Sequence, residues 1–433
     1  MRGVRAFRYR RGPMGLFAGP IVLAHPLTQR YELGVSPLVL GVVAFGLLFG
    51  VAQLVWQRRS TEDPAAPEAS EALPEHGHPA VPLLIITRVN AVPLLIVTRV
   101  IGVALLVLAI AAGLLGRNVE QSNIAPALIV GAGWSLLVLA SLLLGRVWIW
   151  IDPFDSLARI AAPLGAGDGA TDDDQAVWPA LGGAVLLVAY LTVWPGNLAP
   201  RTVGAALLLY VVVTLAGCLA LGRRTWLGRA EIFGLFFGWL AAARRVATWA
   251  VRPGAAAVLS VLAGGFAYGL LRDSHLMADF MYGPDATRNG VIALAVAVIA
   301  VAGATRAASR RHPAAARAVT LALTIAAGGL ALALAIGRNR FTHSLQLLPI
   351  LATDPFGRIV DLLAIRGWRM NPEPFGVTGL RVVQVAVLGM THVAAAVAAA
   401  RRGARDGVKL ASPPAMLLTA GLLAVGVVAI AAA

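Results

Sequence analysis

The chain has 433 residues, 58% of them hydrophobic and 13% charged, against about 25% charged in an average soluble domain. That balance excludes a water-soluble globular protein. The formal charge of +15 does not mark a nucleic-acid binder either, because the arginines are dispersed at the ends of apolar runs and not gathered on one domain.

The N-terminus reads as a targeting segment. Arg2, Arg5, Arg8, Arg10 and Arg11 precede the short apolar stretch Met14–Leu23, and Val22-Leu23-Ala24 has the small-residue pattern of a cleavage site. Residues 1–24 are therefore a candidate signal peptide whose removal leaves His25 first; the alternative is an uncleaved amphipathic segment at the surface. Residues 25–433 then form a single integral membrane domain. Within it, 57–80 is rich in Pro, Ala and Glu, a composition that predicts a disordered cytoplasmic linker.

About 20 apolar residues cross the ~30 Å hydrocarbon core as a helix, which satisfies its own backbone in lipid. Runs of that kind fall at 36–56, 91–116, 126–147, 177–195, 202–222, 254–271, 290–305, 318–337, 381–400 and 413–433. The fold class is thus all-α, a polytopic transmembrane bundle of about ten spans. The loops 57–99, 146–176, 223–252, 306–317 and 401–409 carry 20 Lys+Arg, and the alternate loops carry 11. The richer set is expected in the cytoplasm, with both ends of the mature chain outside the cytoplasmic membrane. Lys409 is the single lysine, and Cys218, the single cysteine, lies in an apolar run, so no intramolecular disulfide can form.

Two repeats stand out. Ala80–Val89 is repeated almost unchanged as Ala91–Val100, a duplication that lengthens the entry to the second span and to which no chemistry is assigned. Asp152-Pro153-Phe154-Asp155 returns as Asp354-Pro355-Phe356-Gly357. Aspartate suits a helix N-cap and proline the first helical position, so each copy predicts a helix start. The copies follow the third and eighth spans and fall on opposite faces of the membrane. After Asp354, apolar and charged residues alternate through Trp368 and Arg369, the pattern of an interfacial amphipathic helix.

Ionisable groups at membrane depth are the first functional candidates. His392 lies eleven residues beyond Arg381, about 16 Å along a helix, and Gln384 shares its face. The competing explanation is that Thr391 and His392 simply hydrogen-bond a neighbouring helix. The outward side collects His25, Asp273, His275, Asp279, Arg340, His343 and Asp354. Histidine with carboxylate suits a divalent transition metal, zinc or copper, although no tight metal-ligand spacing is present. Taken singly, each of these histidines also fits ordinary interfacial polarity.

The stretches Leu23-Ala24-His25, Asn123-Ile124-Ala125-Pro126, Gly145-Arg146-Val147-Trp148, Asp152-Pro153-Phe154, Gly228–Phe233, Asp354–Gly357 and Thr391-His392-Val393-Ala394 stand in this order along the chain. Together they resemble the fenitrothion hydrolase-like family of bacterial multispanning membrane proteins. The resemblance implies a phosphotriesterase-type activity. His25 and His392 match histidines of the family, and His343 matches the second of a close pair whose first would stand near Asn339. The family's Asn-Pro-Trp is here Asp152-Pro153-Phe154.

Two readings follow. One is a hydrolase with an outward metal site: His25, His343 and His392 as ligands, Asp273 or Asp354 as base or supporting carboxylate, and Arg340 stabilising the anion. The other is a transporter or an accessory subunit, with Arg381, Gln384 and His392 lining a path or packing on a partner. In both, the lipid bilayer is the main environment, nucleic acid is not a partner, and the protein contact is another membrane protein or a second copy of the chain.

Overall fold

In the computed structural model the described residues are 88–169, 175–281, 283–310, 313–338, 340–358, 371, 376–406 and 414–433. The signal peptide, His25, the run at 36–56, the linker at 57–80 and the amphipathic segment from 359 to 370 lie outside them.

Every regular element among the described residues is helical. The helices long and apolar enough to cross a membrane are α1 (Arg88–Leu115, apolar from Pro93), α2 (Ile124–Leu143), α5 (Pro200–Leu221), α8 (Ala255–Arg272), α9 (Ala286–Ser309), α10 (Pro313–Gly337), α12 (Gly376–Arg405) and α13 (Pro414–Ala431). They match eight of the ten apolar runs. The run at 177–195 becomes α4, Ala180–Thr192, whose 13 residues fall short of a full crossing. Pro179 starts it, and Pro195 forbids its continuation. Shorter helices complete the bundle: α3 (Pro153–Ala161), α6 (Arg223–Arg229), α7 (Ile232–Ala242) and α11 (Arg340–Thr353).

Beyond Arg317, α10 carries no charge, and residues 318–336 are buried on every side, as a central helix requires. α1 and α9 are peripheral instead, with Val100, Val107, Val296 and Ile299 exposed. In lipid, such side chains face a solvent as apolar as themselves. Between helices that share one solvent, close approach replaces hydrophobic burial as the cohesive force. α12 accordingly meets α10 at glycines: a Cβ added at Gly329 would lie 1.9 Å from Thr391 Oγ1 and 2.7 Å from its Cβ. Gly329→Ala is expected to cost about 1–3 kcal/mol through overpacking. Thermal denaturation of the purified protein checks this, and Thr391→Gly should restore most of the loss.

Ion pairs and caps show which helix ends lie together. Asp406, beyond α12, receives Arg317 of α10 at 2.9 Å and Arg402 at 3.1 Å. Arg402 also donates to the carbonyls of Val246 and Ala247, and Arg252 to those of Gln175 and Gly228. This is the basic end of the bundle, and it gathers the arginine-rich loops. At the opposite end, His275 after α8 bonds the carbonyl of Ala432 after α13. Asn123 caps α2 there through Ala125 N at 3.0 Å and donates to Ala112 O and Arg117 O.

The bundle is interrupted twice near its basic end. After α2, one helical turn at Trp148–Ile151 stops at Asp152, and α3 starts afresh at Pro153. Asp152 caps α3 as the Asp-Pro pair predicts, accepting from Phe154 N at 2.9 Å and Asp155 N at 3.0 Å. After α5, Gly222 takes φ +87°, a conformation glycine tolerates without Cβ strain, and α6 follows. α6 stops at Ala230, and α7 restarts under the cap of Glu231. The second Asp-Pro-Phe copy lies at the opposite end, as the repeat predicts, but follows α11 as a turn: Gly357 N donates to Asp354 O, and Arg358 N to Asp354 Oδ1. The helix expected after it falls outside the described residues.

Candidate functional site

The two interruptions bring their carboxylates into one network. Asp155, in the first turn of α3, is 8% exposed and accepts from three arginines. Arg99 of α1 reaches it at 2.6 Å and Arg159 at 3.0 Å, and Arg223, first residue of α6, bonds its other oxygen. Arg223 also donates to Asp168 at 2.8 Å. Burial acts to raise the Asp155 carboxyl, and the hydrogen bonds from Arg99 and Arg159 outweigh it and hold it below the usual carboxylate range.

Glu231 has a different environment. It is 2% exposed and forms no ion pair among the described residues. Its Oε1 accepts from the Tyr210 hydroxyl at 2.5 Å and from Phe233 N at 2.9 Å; its Oε2 accepts only from Gly234 N, at 2.5 Å. Tyr210 lies midway along α5, so the carboxylate faces the middle of a spanning helix. Burial, then the charge of Asp152, pushes Glu231 up to about 7. Asp152 is likewise raised, to about 6, by its own burial and by Asp155.

Aromatic rings wall this pair. Phe154 and Phe233 each lie 5.1 Å from the Tyr210 ring, and Trp148 lies 5.0 Å from Phe237. Trp148 Nε1 is buried without a hydrogen-bond partner. A Cβ added at Gly234 would stand 2.7 Å from Glu231 Oε2 and 3.5 Å from Trp148 Nε1. The less satisfied carboxylate oxygen and a free indole N–H therefore converge on one glycine.

The residues singled out from sequence lie elsewhere. His392 on α12 is fully buried; its Nδ1 bonds Leu388 O at 2.8 Å, and its Nε2 is buried without a partner. Gln384 shares the buried face and donates to Ala333 O of α10 at 2.9 Å. That bond ties two helices together, while Thr391 bonds only its own helix, at Val387 O and Leu388 O. At the opposite end, Asp273 is held by Arg338, which also donates to Leu191 O. Arg340 and His343 lie three residues apart in the first turn of α11, both partly buried. Burial lowers His343. Asp354 closes the turn after α11, at the far end of that helix from Arg340. Among the described residues no three His, Cys, Asp or Glu gather as a metal site; His25 lies outside them.

Arg99, Asp155, Arg223, Tyr210 and Glu231 were not among the sequence candidates. The available signal was an acid at each edge of an uncharged aromatic stretch: Asp152 before Pro153-Phe154, and Glu231 before Ile232-Phe233. Comparison with known proteins returns no matching family model, no matching curated protein and no matching solved structure.

Proposed function

We propose that this chain is a proton-coupled carrier of the cytoplasmic membrane, with its basic end in the cytoplasm and Glu231 as the group that takes up and releases the proton. The observation that carries the reading is the Glu231 carboxylate: buried, free of a counter-cation among the described residues, and hydrogen-bonded to mid-span Tyr210. Membrane proteins keep such a group at a cost that function has to justify. Helices broken beside a buried polar site are the usual architecture of secondary carriers. Oε1 is saturated by two donors and Oε2 by one, so the proton goes to Oε2, on the side of Gly234 and Trp148. The arginine asymmetry sets the orientation.

Infrared titration of the protein in lipid tests this. A protonated-carboxyl band should fade across neutral pH in the wild type and be missing in Glu231→Gln. Proteoliposomes under an imposed pH gradient, offered a panel of small organic solutes, should accumulate at least one with the wild type and none with the variant. A band unchanged in Glu231→Gln together with no gradient-driven uptake sinks the proposal.

The hydrolase reading stands second. Arg340 and His343 on one turn of α11 favour it, with Asp273 at the same end of the bundle. It requires His343 and His392 to share an ion with His25, and only the resemblance supplies that set.

A further inference from the structure

We infer that Arg340 is the anchor of an oxyanion-binding site at the opposite end of the bundle, taking a carboxylate or phosphate group. Three arginines stand at this end beside the last turn of α4. Arg272 donates to the Thr192 carbonyl, and Arg338 donates to Leu191 O while gripping Asp273 with two nitrogens. These two complete the carbonyls that a helix C-terminus leaves unsatisfied, and they consume Asp273. Arg340 is left over. Its guanidinium forms no hydrogen bond and no ion pair with any described residue, although the side chain is partly buried.

The packing fixes the backbone from which the Arg340 side chain extends. A Cβ added at Gly131 of α2 would lie 1.9 Å from Ser344 Oγ and 3.1 Å from the Arg340 carbonyl. The first turn of α11 is thus pressed onto α2, which fixes the root of the arginine. Burial, then the neighbouring Arg338 charge, lowers Arg340 to about 10; Asp273 and Glu120 oppose the shift, and Arg272 adds to it. Glu120, the other carboxylate within reach of this field, is itself raised by burial.

A cation removed from water without a counter-charge is unfavourable until an anion joins it. The planar guanidinium fork matches carboxylate and phosphate oxygens through two parallel N–H bonds. His343, three residues on, shares that face of α11 and offers a ring N–H. The site does not depend on the carrier reading, although it would supply that carrier with an anionic solute.

The test uses the full purified chain and reads thermal stability and binding, with no transport step. Inorganic phosphate and acetate are the soluble probes. Nanodiscs of phosphatidylglycerol against phosphatidylcholine test a lipid phosphate as the source. Without added anion, Arg340→Met should melt at the same temperature as the wild type or higher, because it removes an unpaired charge; a structural ion-pair arginine would melt lower. With anion, the wild type should gain stability, and Arg340→Met should bind at least tenfold more weakly. Arg340→Lys, which keeps the charge but loses the fork, should fall between them. Arg288→Gln, at an exposed pair with Asp285 at the same end, should bind as the wild type does. A response to soluble anion or to phosphatidylglycerol that Arg340→Met abolishes supports the site and identifies its source. No response to either in the wild type, or one that survives in Arg340→Met, overturns it.

Discussion

Asp155→Asn is expected to destabilise the protein by about 3–5 kcal/mol, the largest effect of any single isosteric change in the bundle. Asp155 is the only carboxylate among the described residues that pairs with Arg99, and it shares Arg223 with Asp168. The side chains of Arg99 and Arg223 are 15% and 7% exposed. Removing the shared anion strands Arg99 and leaves Arg223 with Asp168 alone, and the uncompensated charge on Arg99 accounts for most of the loss. Arg223→Met should cost less, since Asp155 keeps Arg99. Combining Asp155→Asn with Arg99→Met should recover part of the single-variant loss, giving a coupling measurable in a double-mutant cycle. Denaturation in detergent reads all of these. A cost under about 1 kcal/mol for Asp155→Asn would place the cluster with ordinary surface pairs and refute the account.

The spans were legible because a membrane crossing is a local property: length and apolarity suffice, and the nine runs that fall among described residues are helical. The Asp152 cap was legible for the same reason, since Asp-Pro acts on the next few residues. The network was not. Arg99 sits in the second copy of a duplication that suggested no chemistry, and its partner is far along the chain on another helix. Residues 223–252 read as one arginine-rich loop, yet they hold α7, an uncharged helix too short to register as a span. The arginines on either side of it hid a helix start whose cap is the most deeply buried acid of the network. At the other end, Asp273 and Arg340 were chosen, but Arg338, the residue that holds Asp273, was not, because pairing between loops leaves no mark in either loop.

Glu231→Gln should weaken the loss of stability that the wild type suffers as pH rises toward neutrality. The Glu231 carboxyl is raised in the fold, from an ordinary value near 4.5 to about 7. A raised carboxyl favours the protonated fold, so its contribution is fully present below the unfolded value and is lost as pH rises through about 7. A shift of that size corresponds to about 3 kcal/mol between the two limits. Asp152, raised to about 6, adds a loss of the same sign at slightly lower pH. Asp155 runs the other way: its carboxyl is depressed, so its contribution holds above the unfolded value and fails only in acid. The wild type should therefore be most stable in mild acid and weaken toward alkaline pH. In Glu231→Gln the loss between about pH 4.5 and 7 should shrink, leaving the smaller one from Asp152 and the unchanged acid limb from Asp155. Gln keeps an acceptor for Tyr210 and Phe233 N but turns an amide toward Gly234 N, so its melting temperature in acid should fall somewhat below the wild type. Melting curves across the pH range separate the two limbs. A wild type whose stability does not fall between about pH 4.5 and 7 would mean that the Glu231 carboxyl is not raised in the fold, and the proton step assigned to it would have no basis.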